Sequence, residues 1–388
     1  MNIRKKQSAL LIWVSLLLFA SGCNIGATGP TTAPERTSAA TNAAETVVDE
    51  RIELVLLTDR SEYQGYSDRS SLYDLVRDYN SSNRDYRITV IEETTISNSL
   101  DYDNLPDIYA YHDRSYGTSG NMENLLPYLD SDPDYERDIF VPSLIRSITL
   151  NETMNWLPVD FFLTTFAASE NIVGSRTNLT LDEARTYAQE LGDGSTVFPG
   201  WMVSGIFEWH LNAYASTNIV DENSGVLDRE NSDYLAMIQE AENQYGDWNI
   251  DTIPPEPPTD PEHLLAFFRI RSLVQYRSVP QSYPDGYSLI GFPVSEGSGN
   301  MWNSNLRLGI SAESEYKEAA WEFLRSALSD ANQAKTVCFP VVRSAFEAVL
   351  DAELAKPASD IGAVGIDKLR WMVYGLTQVL PDYETLTN

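Results

Sequence analysis

The sequence predicts an α/β protein with mixed, mostly parallel sheets flanked by helices, and three observations lead to this prediction. Strand-like and helix-like segments alternate directly after residue 50, and the same alternation returns in the last third of the chain. This order is typical of parallel sheets with helices on their faces. The body of roughly 340 residues is also longer than one hydrophobic core usually serves, so two lobes are expected.

The body opens with three predicted strands, at residues 52–57, 87–92 and 105–111. A helix between the first two has apolar residues at three- and four-residue spacing, namely Leu72, Leu75, Val76 and Tyr79. Ligands of parallel sheets collect at the carboxyl ends of the strands. Position alone therefore draws attention to Thr58, Asp59, Tyr111, His112 and Asp113.

The middle of the chain is predicted to be helical. Thr180 and Glu183 form a capping box, in which the threonine side chain and the glutamate satisfy first-turn amides. Further helices are predicted near residues 201–214, over 228–245 and through Leu264–Phe268, the last after a Pro-rich loop at 253–261.

The last third returns to strands and helices. Residues 287–293 and 306–311 predict strands, and residues 338–343 predict another extended passage before further helix. Between them, a helix from about Tyr316 to Leu328 places its apolar residues on one face.

The first 50 residues predict export and anchoring. Residues 1–22 combine a basic start, a short apolar core and small residues, which is typical of a signal peptide. Cys23 follows Ala20-Ser21-Gly22, which looks like a bacterial lipobox, although leucine is commoner than alanine three positions before the cysteine. Lipidation at Cys23 and a flexible stalk over residues 23–50 are expected, on the extracellular face of the cell membrane. An ordinary signal peptide with an incidental cysteine is the alternative.

Charge and residue usage exclude several functions. The formal net charge of −30 argues against nucleic acid and against long-range capture of a polyanion. Cys338 is the only cysteine after Cys23, so the body has no internal disulfide, and its neighbours suggest a small buried residue. Three histidines offer little for a catalytic triad or a metal site. No catalytic residue, metal or other cofactor is expected.

The chain resembles the extracellular solute-binding proteins of ABC transporters, in the sugar-binding group of the maltose-binding-protein type. Five passages carry the resemblance in the family's order: the first strand and helix, residues 105–109, 151–158, 308–312 with 319–324, and 339–345. Two features depart from the family. The C-terminal helical region is short, and the passage at 160–171 lacks the usual Tyr-Asn-Lys-type ending.

The resemblance implies a two-lobed, type II periplasmic-binding-protein-like fold with three crossing segments. It places one lobe at residues 51–157 and 294–338, and the other at 158–293 and 339–388. A carbohydrate would bind between the lobes and reach an ABC permease through hinge closure. The resemblance further implies a binding protein without enzymatic activity, and we expect a monomer.

Sugar recognition would combine aromatic faces with polar side chains, which directs attention to tryptophans at loops and crossings. Trp156 precedes a crossing, Trp201 follows a loop, and Trp302 lies in a polar stretch where a core role is less expected. We interpret Trp321 and Trp371 as core residues, while the sequence does not distinguish a core role from a ligand role for Trp209 and Trp248.

Polar candidates follow the strands and crossings. The predicted ligand-binding set is completed by Asp59, Tyr111, Asp113, Asp160, Phe161 and Arg343. Carboxylates form strong charge-assisted hydrogen bonds with hydroxyls. For each aspartate, turn capping is the alternative role, and for Arg343 it is a salt bridge within its lobe.

Two other kinds of function are compatible with the sequence. The abundance of carboxylates with aromatics is compatible with a glycosidase that uses two carboxylates, although no motif singles out a pair. A sensor role or a non-sugar solute is also compatible with the same fold.

Overall fold

The computed structural model describes residues 50–59, 66–93, 106–112, 122–149, 151–199, 230–245, 262–357 and 359–377. All of these belong to one of two compact units, Glu50–Asn388. The predicted leader, Cys23 and the stalk lie outside the described residues, as do Asp113, Trp201, Trp209, Trp248 and the side chains of Asp59 and His112.

The strands in the described ranges are β1 (Ile52–Asp59), β2 (Tyr86–Glu93), β3 (Ile108–His112), β4 (Leu157–Pro158), β5 (Asp160–Ser169), β6 (Ala266–Ile270), β7 (Tyr287–Leu289), β8 (Met301–Asn303), β9 (Leu306–Ile310) and β10 (Phe339–Pro340). The helices are α1 (Tyr66–Ser82), α2 (Leu126–Ser131), α3 (Pro142–Ile148), α4 (Glu170–Val173), α5 (Leu181–Leu191), α6 (Ser232–Tyr245), α7 (Leu273–Tyr276), α8 (Ser278–Ser282), α9 (Lys317–Ser326), α10 (Asp330–Gln333), α11 (Arg343–Leu354) and α12 (Gly362–Tyr374). None of these helices has the length and apolar composition needed to cross a membrane.

The first sheet has the strand order β2-β1-β3-β9-β4. β1 pairs in parallel with β2 and β3, whereas β9 runs antiparallel to β3 and β4. Leu54 and Leu56 are fully buried in β1, and α1 covers them with the apolar face predicted from its spacing. This part of the fold is therefore predicted correctly, as a mixed sheet flanked by helices.

The second sheet is built around β5, which pairs with β10, β6, β7 and β8. Every one of these pairs is antiparallel, so the prediction of a mostly parallel sheet is wrong for the described strands of this sheet. Each of these four partner strands runs in the direction opposite to β5. β8 also pairs with β5, although residues 294–338 are assigned to the first lobe by the sequence.

The predicted helix through Leu264–Phe268 is wrong, because Ala266–Ile270 is a strand. Phe267 and Phe268 point to opposite sides of the sheet, where they pack against different buried clusters. This alternation is the pattern of a strand, and it gives each aromatic ring its own core. The short apolar run was compatible with either structure.

Two large buried clusters lie on the two faces of β5. One contains Phe161 and Leu163 together with residues of the first sheet, α11 and α12. The other contains Phe166, together with Ala184 and Ala188 of α5. The capping box that begins α5 is confirmed, with Thr180 and Glu183 satisfying each other's backbone amides. Side chains of β5 are thus divided between two cores.

The predicted core roles of Trp321 and Trp371 have opposite outcomes. Trp321 is buried, and its Nε1 donates to Asp132 Oδ2 at 2.9 Å, which confirms its core role. Trp371 is 47% exposed, so the core interpretation is wrong for this residue. Cys338 is confirmed as a buried free cysteine.

Candidate functional site

The candidate site lies where β1 and β3 end, which we call the carboxyl edge. Because β9 is antiparallel to β3, its first residue Leu306 is paired with His112, the last residue of β3. β4 ends at the same edge, since Pro158 pairs with Arg307. The chain then enters β5 at Asp160. The edge therefore brings together the ends of two parallel strands and the passage from the first sheet to the second.

Asp160 fixes this passage. Its carboxylate is 1% exposed, and its Oδ1 accepts from the backbone N–H of Asn305 at 2.9 Å and from that of Leu306 at 3.2 Å. A second bond joins the same strands, because the Val159 N–H donates to Leu306 O at 2.9 Å. Asp160 thus caps the start of β9, and capping is the role given above as its alternative to ligand binding. A ligand role for Asp160 stays a prediction.

Trp156 stands on an aromatic cluster at this edge. Its ring meets the Tyr111 ring edge-to-face, with centroids 4.6 Å apart, and Tyr111 stacks on Tyr109 at 6.1 Å. Both tyrosines are buried, whereas Trp156 is only half-buried. Burial raises the pKa of the Tyr109 hydroxyl, and a hydrogen bond with Ser311 opposes the rise. Tyr111 therefore supports the indole on one side, and part of the indole surface remains accessible to solvent.

Gly309 of β9 makes room for this indole. A Cβ at this position would lie 2.2 Å from Met122 Cε, 3.0 Å from the backbone oxygen of Asn155 and 3.0 Å from Trp156 Cε3. Only a residue without a side chain allows the segment before β4 to cross β9 so closely. The absence of a side chain at Gly309 therefore allows the indole of Trp156 to lie close to the strand.

Two buried polar side chains at the carboxyl edge have no hydrogen-bond partner among the described residues. One is Thr58, through its Oγ1, and the other is Asn305, through both ends of its amide. Buried polar groups normally find partners, since leaving one unpaired costs about 1–3 kcal/mol. Groups of this kind at a strand end are suited to bonding the hydroxyls of a ligand or side chains of the adjoining loops.

Trp302 and Phe161 belong to the core. Trp302 is 2% exposed in β8, and its Nε1 donates to Ser147 Oγ at 2.9 Å. Its ring lies 6.4 Å from that of the fully buried Phe161, which also packs against Phe339 and Phe346. The expectation that Trp302 lies in a flexible polar loop is wrong. Its polar neighbours face inward, and Asn300 is fully buried with hydrogen bonds to Thr165 and Ser298.

Arg343 is exposed in the first turn of α11, after Pro340, whose partner across the sheet is Asp160. Its charge acts on the Tyr374 hydroxyl. Burial raises the pKa of that tyrosine to about 12, and the charge of Arg343 opposes the rise. The structure therefore brings Tyr111, Trp156 and Asp160 together at the carboxyl edge, whereas Trp302 and Phe161 serve the core.

Sequence reasoning missed two contributors to this site and one to the core. Asn305 lies directly before β9 and Gly309 lies within it, and the importance of this strand at the edge depends on its antiparallel pairing with β3. Ser147 reaches Trp302 from a helix far away in sequence. No local pattern marks these residues, because each acts through a tertiary contact.

The arrangement suits non-covalent recognition. The partly exposed indole of Trp156 offers apolar surface, while the buried amide of Asn305 offers directional hydrogen bonds. In the part of the chain that the structure describes, no group of three or more His, Cys, Asp or Glu residues could hold a metal ion.

The two sheets and their flanking helices define a periplasmic-binding-protein fold of the MalE type. No protein-family model and no curated protein matches the sequence. The likeness is found among solved structures.

One such structure is the ABC substrate-binding protein from Listeria monocytogenes in complex with cycloalternan, with a TM-score of 0.53, 12% identity and coverage of 87% of this chain and 90% of that chain. A periplasmic oligogalacturonide-binding protein from Yersinia enterocolitica has a TM-score of 0.54 and 12% identity, over 87% of this chain and 91% of that chain. The sugar-binding protein MalE from Xanthomonas citri has a TM-score of 0.53 and 11% identity, over 83% and 85%. Identities this low show a shared fold.

Proposed function

We propose that this chain is the substrate-binding protein of an ABC transporter and that it captures a carbohydrate at the carboxyl edge. The observation that carries the proposal is the half-buried Trp156, seated on Tyr111 at the edge where the buried Asn305 amide has no hydrogen-bond partner among the described residues. An indole face matches the C–H-rich face of a sugar ring, and the polar groups match its hydroxyls. The fold supports the same conclusion, since solved counterparts hold cycloalternan and mannotriose.

The ligand we propose is a neutral oligosaccharide. The chain has a formal net charge of −30, which disfavours long-range attraction of an acidic sugar. This charge separates it from a protein that takes oligogalacturonides, whose sugars are carboxylates. Stacking and hydroxyl hydrogen bonds need no ligand charge.

Capture would involve two lobes that close on the sugar. We assign residues 51–157 and most of 294–338 to the first lobe, and the remaining body to the second. Met301–Asn303 moves to the second lobe, because β8 pairs with β5. Closure presents the loaded protein to the permease, and lipidation at Cys23 keeps it on the outer face of the membrane. The monomer suffices for this cycle.

The test is titration of the purified full chain with a panel of neutral oligosaccharides, monitored by calorimetry. We expect saturable binding of at least one member and its loss in Trp156→Ala. A matched control is Val274→Ala, which removes an exposed apolar side chain elsewhere. Binding of peptides or polyamines in place of sugars would contradict the proposal, as would release of reducing ends, which marks a hydrolase.

A further inference from the structure

A second concave surface lies at the far end of β5 from the carboxyl edge. It has a volume of about 360 Å³ and lies between α12 and the segment that follows β5. We call it the Trp371 pocket, and its principal lining residues are Glu170, Ser175, Arg176, Asp367, Lys368 and Trp371. A volume of this size is typical of small-molecule sites. The ten residues of β5 separate the pocket from Asp160 by roughly 30 Å.

Trp371 is exposed although its helix is well packed. The inner face of α12 buries Ile366, Leu369, Met372 and Val373 completely. On the outer face, Trp371 is 47% exposed and Val364 is 71% exposed. The core therefore does not require the indole, and a large exposed aromatic that lines a concavity is a feature of ligand-binding surfaces.

The polar groups around the indole are held in fixed positions. Lys368 Nζ lies 2.8 Å from Glu170 Oε1, also bonds the Tyr287 carbonyl, and lies over the Tyr287 ring at 4.4 Å. The hydrogen bond from Lys368 lowers the pKa of the Glu170 carboxyl, so this group stays ionised at neutral pH. Arg176 is held by Glu183 at 2.7 Å. A pre-positioned polar frame reduces the entropy lost when a ligand binds.

The charges of the pocket are balanced. Its lining contains two carboxylates, Glu170 and Asp367, and two cations, Arg176 and Lys368. In a chain with a net charge of −30, this balance leaves the lining without a net charge that would attract an ionic ligand. Hydroxyl groups can both donate to the carboxylates and accept from the guanidinium.

We propose that the Trp371 pocket is a second binding site, which takes a pyranose unit of a neutral glycan. The indole stacks on the C–H face of the ring, while Asp367 and Arg176 bond its hydroxyls. Because the pocket lies at the opposite end of β5, it can hold a glycan whether or not the carboxyl edge is occupied. The site does not depend on the function proposed above. A long glycan chain could be held in the Trp371 pocket while shorter sugars are captured at the carboxyl edge.

The test uses the full chain labelled with 5-fluorotryptophan, in which fluorine NMR reports on the eight tryptophans. Trp371→Phe and Trp156→Phe assign the two resonances that matter. We expect the Trp371 resonance to shift saturably with neutral gluco-, manno- or xylo-oligosaccharides, and to do so equally in a Trp156→Ala background. A silent Trp371 resonance across the panel would overturn the second site, whereas the Trp156 resonance reports separately on the carboxyl edge.

A second measurement is affinity electrophoresis in gels that contain a neutral polysaccharide, again in the Trp156→Ala background. Trp371→Ala is expected to weaken retention by about tenfold or more, because stacking on an indole dominates such contacts. Val274→Ala, an exposed apolar residue outside this pocket, is the matched control and should retain binding. Equal retention of Trp371→Ala and the unmodified background would contradict the proposal.

Discussion

Replacing Asp160 by alanine should destabilise the protein strongly, because this one carboxylate holds two sheets in register. The substitution removes the acceptor of two backbone N–H groups, those of Asn305 and Leu306, in a place that water does not reach. Each buried amide left unpaired costs about 1–3 kcal/mol. Alanine also abolishes the cost of burying the charge, which offsets part of this loss. We therefore expect a net decrease of about 2–4 kcal/mol in the free energy of unfolding.

Urea unfolding followed by circular dichroism measures this decrease. Asp160→Asn keeps an acceptor oxygen and should lose only about 1 kcal/mol. Asp134→Ala is the matched control, since Asp134 forms an exposed ion pair with Arg325, worth about 1 kcal/mol or less. If Asp160→Ala unfolds at the same urea concentration as Asp134→Ala, the carboxylate is not what holds the start of β9, and the reasoning is refuted.

Three further predictions concern the site, acid stability and anchoring. Gly309→Ala should displace Trp156 and weaken sugar binding in calorimetry more than it lowers the unfolding midpoint; unchanged affinity would contradict the packing argument. Glu353 has a lowered pKa, chiefly through a hydrogen bond from Lys356. Its stabilisation is complete above the usual carboxyl pKa of about 4.3 and is lost as pH falls through the lowered value, so Glu353→Gln should flatten the acid side of the thermal-stability profile. An equally steep profile in the variant would contradict this. Cys23→Ser should release the protein into the medium with unchanged ligand affinity, and membrane fractionation would reveal any retention.

The position of the carboxyl edge could be predicted from sequence because it follows from local patterns. Alternation of strands and helices indicates parallel pairing, and parallel strands place their ends together. The positions of Tyr111 and Asp160 at this edge follow from their place at the end of a strand and after a crossing, whereas a ligand role for them stays a prediction. The capping box of α5 was equally accessible, since both of its partners lie within one helical turn.

The two tryptophans with wrong interpretations show what local composition cannot reveal. Trp302 is surrounded in sequence by Gly, Ser and Asn, which normally mark exposed loops, yet Ser298 and Asn300 are buried and hydrogen-bonded to each other. Trp371 lies among apolar residues of a helix, yet its own position points away from the core. In both cases the outcome depends on which neighbouring element covers the residue, and that information lies elsewhere in the chain.

The length of β5 is constrained more strictly than its side chains. Successive residues of this strand face two different cores, and its backbone pairs with strands on both sides. Inserting or deleting one residue would turn every later side chain to the opposite face and would carry Phe166 out of its cluster. Variation among homologues should therefore change which residues β5 contains while preserving how many there are.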